Sequence, residues 1–161
     1  MTKRKNRLHL LQLVSYLCMI TALTACSSLP WVSSPTRINA LIASSFEINP
    51  DANGRPSPLV VRIYELKSIS AFNDADFFKL YDEEVATLGG DLLSREEFEL
   101  TPGESREIIH NAHEQTRFFA VVAAFRNIDQ ASWRASKELK LNSKNSLIVK
   151  IDKQSLTINP R

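Results

Sequence analysis

The chain has 161 residues, with 20 Lys+Arg against 18 Asp+Glu and a formal net charge of +2. Lys3, Arg4, Lys5 and Arg7 open it without an acid among them, so without residues 1–25 the balance is 16 basic to 18 acidic, or −2. That mildly acidic remainder gives no footing for a nucleic-acid partner, and two cysteines, Cys18 and Cys26, are too few for a disulfide framework or a cysteine zinc site.

Behind the basic start, Leu8 to Leu23 form an apolar segment with few interruptions, the layout of a bacterial export signal. His9, Gln12, Ser15, Thr21 and Thr24 set it apart from a permanent span of about twenty predominantly apolar residues. An uncleaved anchor with an incidental cysteine is the alternative. Leu23-Thr24-Ala25-Cys26 resembles the lipobox of bacterial lipoproteins, in which the cysteine thiol receives a diacylglyceryl group and small preceding side chains admit the peptidase. The resemblance implies a signal peptide over 1–25 and covalent lipid on Cys26. Ser27, rather than Asp, after the cysteine implies placement in the outer membrane, facing the periplasm. Buried acyl chain adds about 0.8 kcal/mol per CH₂, so such a protein is anchored to a membrane without spanning it. Residues 26–36 then read as the lipidated cysteine and a Ser/Pro-rich tether, reaching about 30 Å when extended. Residues 37–161 suffice for one domain with a hydrophobic core.

From Arg37 the alternation of Ile38, Ala40 and Ile42 against Asn39, Leu41 and Ala43 predicts a first strand. Asn49-Pro50-Asp51-Ala52-Asn53-Gly54-Arg55-Pro56-Ser57-Pro58 follows, whose prolines, glycine and Asn/Asp residues supply turns and deny ladder hydrogen bonds. It predicts an exposed loop longer than a hairpin needs, and loops of that kind tend to carry function. Leu59 to Leu66 predicts a strand apolar on both faces. A cover for its outer face comes from a helical insertion at about 72–89, with Phe77, Leu80 and Tyr81 on one side and Asn73 or Asp74 as cap. A second short helix over Asp82 to Leu88 points Val85 and Leu88 inward and stops at Gly89-Gly90. Ser94 to Leu100 fits either a capped helix or a strand, and the strand is preferred. The turn Thr101-Pro102-Gly103-Glu104 returns Ser105 to Ile109 as its partner. Arg117 to Arg126 predicts a central strand, Trp133 to Leu139 another, and Leu147 to Ile151 with Leu156 to Ile158 a closing hairpin. Seven or eight short strands at this spacing predict a mainly β, two-sheet β-sandwich with a short helical insertion.

Nothing in this pattern points to catalysis or a cofactor. His110, His113 and Glu114 make the best set for a metal, but they follow a strand with no further ligand cluster, and solvated loop histidines are the expectation. No nucleophile elbow and no phosphate-binding glycine loop is present, and the chain holds only four glycines. An enzyme, a metal and a small-molecule substrate are therefore not expected.

Asn49-Pro50-Asp51 with Gly54-Arg55-Pro56-Ser57-Pro58, followed by Val61-Arg62-Ile63-Tyr64-Glu65-Leu66, resembles the TssJ (SciN, VasD) lipoproteins of the type VI secretion system. Further matches run in order: Phe72, Ala75-Asp76-Phe77, Leu80-Tyr81, Leu88-Gly89, Asp91-Leu92-Leu93, Pro102-Gly103-Glu104, Val122-Ala123-Ala124-Phe125-Arg126 and Trp133-Arg134. The stretch from Lys137 to Lys150 and the final hairpin match by pattern only. The resemblance implies a transthyretin-like sandwich tethered to the inner leaflet of the outer membrane. It also implies a partner, the periplasmic C-terminal region of the inner-membrane protein TssM, which forms a complex with TssL. The contact element it implies is the loop between the first two strands, here Asn49 to Pro58, with Asp51, Asn53 and Arg55 as polar contacts. A periplasmic lipoprotein that binds a small ligand or peptidoglycan is the alternative, and a deep apolar pocket would favour it.

Overall fold

Alternation along β1 (Arg37–Ser44) sends Ile38, Ala40 and Ile42 to one side, and all three are fully buried in the computed structural model, which describes residues 34–161. The signal segment, Cys26 and most of the tether lie outside the described residues. β2 (Leu59–Leu66) follows, then three short helices, α1 (Ser70–Asp74), α2 (Phe77–Asp82) and α3 (Glu84–Leu88), and a 3-10 turn over Gly89–Asp91. The remaining strands are β3 (Leu92–Leu100), β4 (Ser105–Asn111), β5 (Phe118–Ala123), β6 (Arg134–Glu138), β7 (Lys144–Ile151) and β8 (Leu156–Pro160).

They form two four-stranded sheets, ordered β4-β1-β7-β8 and β3-β2-β5-β6, the two-sheet sandwich that the strand spacing predicted. All pairings are antiparallel except β1 with β7. Between the sheets lie Ile38, Ile42, Val61, Ile63, Leu100, Phe119, Val121, Val149 and Ile151. Burial of apolar area at about 25 cal/mol per Å² makes this layer the main stabilising term of the fold.

β2 and β5 are covered on both faces, as their sequences require. Their outer side, Tyr64, Leu66, Ala120 and Val122, packs under Phe72, Leu80 and Leu88 of the helical insertion. The insertion spans residues 70–91, a little wider than expected, and differs in two details, the cap and Val85. Asn73 and Asp74 belong to α1, and the cap of α2 is Asp76, whose carboxylate accepts from Lys79 N at 2.9 Å. Arg134 Nη1 donates to Phe72 O and Ala75 O (2.8 and 2.6 Å), drawing off carbonyls at the end of α1, and Ala75 is extended. Val85 points to solvent at 70% exposure, because a five-residue helix has one inward position and Leu88 takes it.

Glu104 N bonds to Thr101 O and Gly103 has φ 77, so Thr101–Glu104 reverses the chain as its residues predict. The strand it returns, however, does not pair with β3. Gly103 N donates to Ser45 O and Ser44 N to Glu104 O, and these bonds draw β4 onto β1 in the other sheet. The faces of β5 and the β7–β8 hairpin follow the expected alternation.

Candidate partner-binding loop

The β1–β2 loop is anchored in the core through Ile48 and Asn49 and exposed at its tip. Ile48 is fully buried among the inter-sheet residues, and Asn49 is 4% exposed. Asn49 has φ 48, a left-handed conformation that Asn tolerates better than most residues. Its three polar groups all serve the fold: its N donates to Lys153 O (3.0 Å), Nδ2 donates to Pro58 O (2.9 Å), and Oδ1 accepts from Arg126 N (2.8 Å). The Asn49 side chain thus ties the far end of the loop to the β5–β6 connection, and its backbone N ties the near end to the β7–β8 connection.

Asp51 organises the tip. Its Oδ1 accepts from the backbone N of Asn53 (2.8 Å) and Arg55 (2.9 Å), and Oδ2 accepts from Arg55 Nε (2.9 Å) and pairs with Nη2 (2.8 Å). Two backbone bonds, Asp51 N to Arg55 O and Gly54 N to Asp51 O, close the same five residues. The Arg55 amide, with smaller contributions from the Arg55 side chain and the Asn53 amide, holds the Asp51 carboxyl below the ordinary value of 3.8. Gly54 supplies the positive φ, 78°, that the turn needs. Pro56 and Pro58 add fixed φ without a backbone donor. The result is a tip whose polar groups are satisfied internally, which lowers the ordering cost of any association it enters.

The three polar residues nominated in this loop therefore divide. Asp51 is an internal brace, only 19% exposed at its side chain, whereas Asn53 and Arg55 face solvent, Arg55 at 75%. Ala52, Gly54 and Pro56 are exposed beside them, and Pro50 is half-buried. Cys26 lies outside the described residues. Sequence reasoning missed Arg126, Asn127 and Gln154, which with Pro50, Asp51 and Ala52 line an open depression beside the tip. They sit some 75 to 100 positions further along the chain, and only strand pairing brings them together.

The histidines occupy the other end of the sandwich. His110 Nε2 lies 2.6 Å from Glu65 Oε1, and Glu65 Oε2 accepts from His113 N (2.9 Å) and from the fully buried Thr116 Oγ1 (2.7 Å). This links β2 in one sheet to β4 in the other. Among the described residues no group of three or more His, Cys, Asp and Glu is arranged to hold a metal ion.

The outer face of β2 carries a second polar network, which holds the helical insertion in place. Arg62 donates to Glu97 and to Tyr81 O, lies 3.9 Å from the centre of the Tyr81 ring and 3.3 Å from Glu84. Glu84 also accepts from Tyr64 Oη (2.9 Å) and pairs with Arg95 (2.7 Å). Burial, reinforced by the Glu84 carboxylate, pushes the Tyr64 hydroxyl well above its ordinary pKa, so it acts as a donor throughout the physiological range. The hollow beside this network, lined by Arg62, Tyr81 and Glu83 to Ala86, is an open surface depression of polar and apolar residues. It lacks the enclosure and apolar lining of a small-molecule site.

The family model described as type VI secretion lipoprotein, VasD, EvfM, TssJ matches residues 36–154. Among solved structures, the type VI secretion lipoprotein TssJ1 from Pseudomonas aeruginosa is 40% identical, with a TM-score of 0.77 over 79% of this chain and 97% of that one. Lip from Serratia marcescens, described as a membrane-bound component of the type VI secretion system, is 26% identical, with a TM-score of 0.72 over 79% of this chain and 98% of that one. A chain of the structure titled for the TssM C-terminal domain from EAEC is 25% identical, with a TM-score of 0.65 over 78% of this chain and 99% of that one. No curated protein sequence matches. The family is a structural component of the secretion machinery and not an enzyme. The match over 36–154 and the 40% identity to TssJ1 place this chain in the TssJ/VasD family of type VI secretion lipoproteins.

Proposed function

We propose that this chain bridges the cell envelope of a type VI secretion system. Residues 1–25 direct export, Cys26 takes the lipid, residues 26–36 form the tether, and the sandwich faces the periplasm from the outer membrane. The β1–β2 loop grips the periplasmic C-terminal region of TssM, which is rooted with TssL in the inner membrane.

The observation that carries this reading is the direction of β1. The tether joins it at Arg37, and the partner loop leaves it beyond Ser44. Eight residues of strand separate the two ends by roughly 25 Å. The point where the tether joins and the proposed grip therefore lie at opposite ends of the sandwich, the arrangement a spacer between two membranes needs. That a chain of this fold occurs in a structure titled for the TssM C-terminal domain supports the choice of partner.

The test is Cys26→Ser in the producing cell. The wild-type chain is expected to incorporate fatty acid and fractionate with the outer membrane. The variant is expected to be unlabelled and soluble in the periplasm, with secretion abolished. Unlabelled wild-type protein, or secretion preserved in the variant, would overturn the reading.

A further inference from the structure

We propose that the end of the sandwich where the tether joins is a docking surface for anionic phospholipid headgroups of the anchoring leaflet. This rests on the lipid anchor assigned above. The surface is built from Arg37, Arg117, Lys140, Leu141 and Lys144.

These residues are far apart in sequence and gathered by the fold. Arg37 opens β1 and is directly opposite Lys144 at the start of β7, in parallel register. Ile38 and Asn145 are buried, so Arg37 and Lys144 both project from the outer face of that sheet, where they are exposed. Lys140 and Leu141 form the tip of the β6–β7 turn, and Leu139 N donates to Arg117 O, which brings β5's approach alongside. The turn is fixed in place. Buried Asn145 accepts from Lys140 N (2.8 Å) and donates to Lys140 O (2.9 Å) and Ser143 O (3.2 Å), while Asn142, at φ 54, donates its N to Thr36 Oγ1 (2.9 Å). The turn therefore rests on the last residue of the tether.

Two features point to a membrane as the occupant. The first is position: Thr36 is ten residues from Cys26, so an acyl chain on Cys26 holds this end within about 35 Å of the lipid surface. The second is charge. Outside the export signal the chain is net acidic, yet the fold gathers Arg37, Arg117, Lys140 and Lys144 at this end, and none of the four has a carboxylate within ion-pair distance among the described residues. Glu114 and Glu138 are the nearby acids in sequence, and neither is paired with them. Leu141, 44% exposed at the tip between Lys140 and Lys144, is placed to enter the boundary between headgroup and acyl chain. Clustered cations facing an anionic leaflet are attracted within a Debye length of about 10 Å, an approach that the reach of the tether permits. Docking would orient the sandwich with its partner loop away from the membrane.

The experiment uses the lipid-free domain Ser34–Arg161, which forms one compact unit and has about the extent of the crystallised TssJ1 chain. Co-sedimentation is measured with phosphatidylglycerol-containing vesicles and with phosphatidylcholine vesicles at low salt. At least tenfold stronger partition to the anionic vesicles is expected, with most of it lost in Lys140→Glu/Lys144→Glu and a smaller loss in Leu141→Ala. Lys150→Glu/Lys153→Glu, which makes the same charge change toward the opposite end, is expected to keep the preference. Equal partition to both vesicles, an equal loss in the two double variants, or binding to purified peptidoglycan in place of vesicles would overturn the proposal. Because acylation of Cys26 is read separately by fatty-acid labelling, failure of the anchor and failure of the docking surface are distinguishable.

Discussion

Asn49 and Asp51 do different work, the first at the buried base of the loop and the second at its tip, and each gives a prediction. Asn49→Ala strands Pro58 O and Arg126 N and leaves alanine in a left-handed conformation. A destabilisation of about 2–3 kcal/mol is expected, read by urea denaturation, with Asn49→Gly recovering only the backbone share. For Asp51 the effect is one of pH. Its folded carboxyl titrates below 3.8, so its stabilisation of the tip is complete above that value and is lost as pH falls through the depressed one. The Asn53 and Arg55 amide resonances are therefore expected to hold steady down to about pH 4 and to shift below it. A midpoint at or above 3.8 would contradict the assignment. In Asp51→Asn the Oδ1 acceptor survives, and that titration disappears. The sequence showed a proline-stiffened loop between strands, because Pro, Gly, Asn and Asp carry turn chemistry locally. It did not show that Asn49 is buried, since its partners at Arg126 and Lys153 are reached only through the fold.

At the scale of elements, the helical insertion depends on charge as much as on Phe72, Leu80 and Leu88. Arg62→Ala removes the group that joins Glu97, Glu84 and the Tyr81 carbonyl. About 2–3 kcal/mol is expected, below the full value for a buried pair because the Glu97 side chain is 37% exposed. The loss should concentrate in faster amide hydrogen exchange across Ser70–Leu88, with the inter-sheet strands little changed; a uniform loss across both sheets would argue against a local clamp. β2 and β5 were legible because strands covered on both sides are apolar on both parities. The partner of β4 was not, since a Pro-Gly turn fixes a reversal and says nothing about which edge receives the strand. Glu65 was readable in principle: Leu59, Val61, Ile63 and Glu65 share one parity, and an acid on the inward set calls for donors such as His110 and Thr116.

For the whole molecule, the two ends of β1 define an axis, with Arg37, Lys140 and Lys144 at one end and the braced loop at the other. Sequence periodicity gave the layers of this sandwich but not the axis, which depends on β1 and β7 running parallel so that Arg37 and Lys144 share an end.

The measurement that bears most directly on the proposed bridging function is calorimetric titration of the domain Ser34–Arg161 with the periplasmic C-terminal region of TssM from the same secretion system. A second titration uses Asn53→Ala/Arg55→Ala, which removes the exposed side chains of the tip and keeps Asn49 and the backbone bonds to Asp51 Oδ1, at the loss of the Arg55–Asp51 pair. Saturable one-site binding by the wild type, weakened at least tenfold in the variant with unchanged thermal unfolding, is the predicted result. Absence of binding by the wild type, or equal binding by both, would contradict the assignment of this loop as the grip.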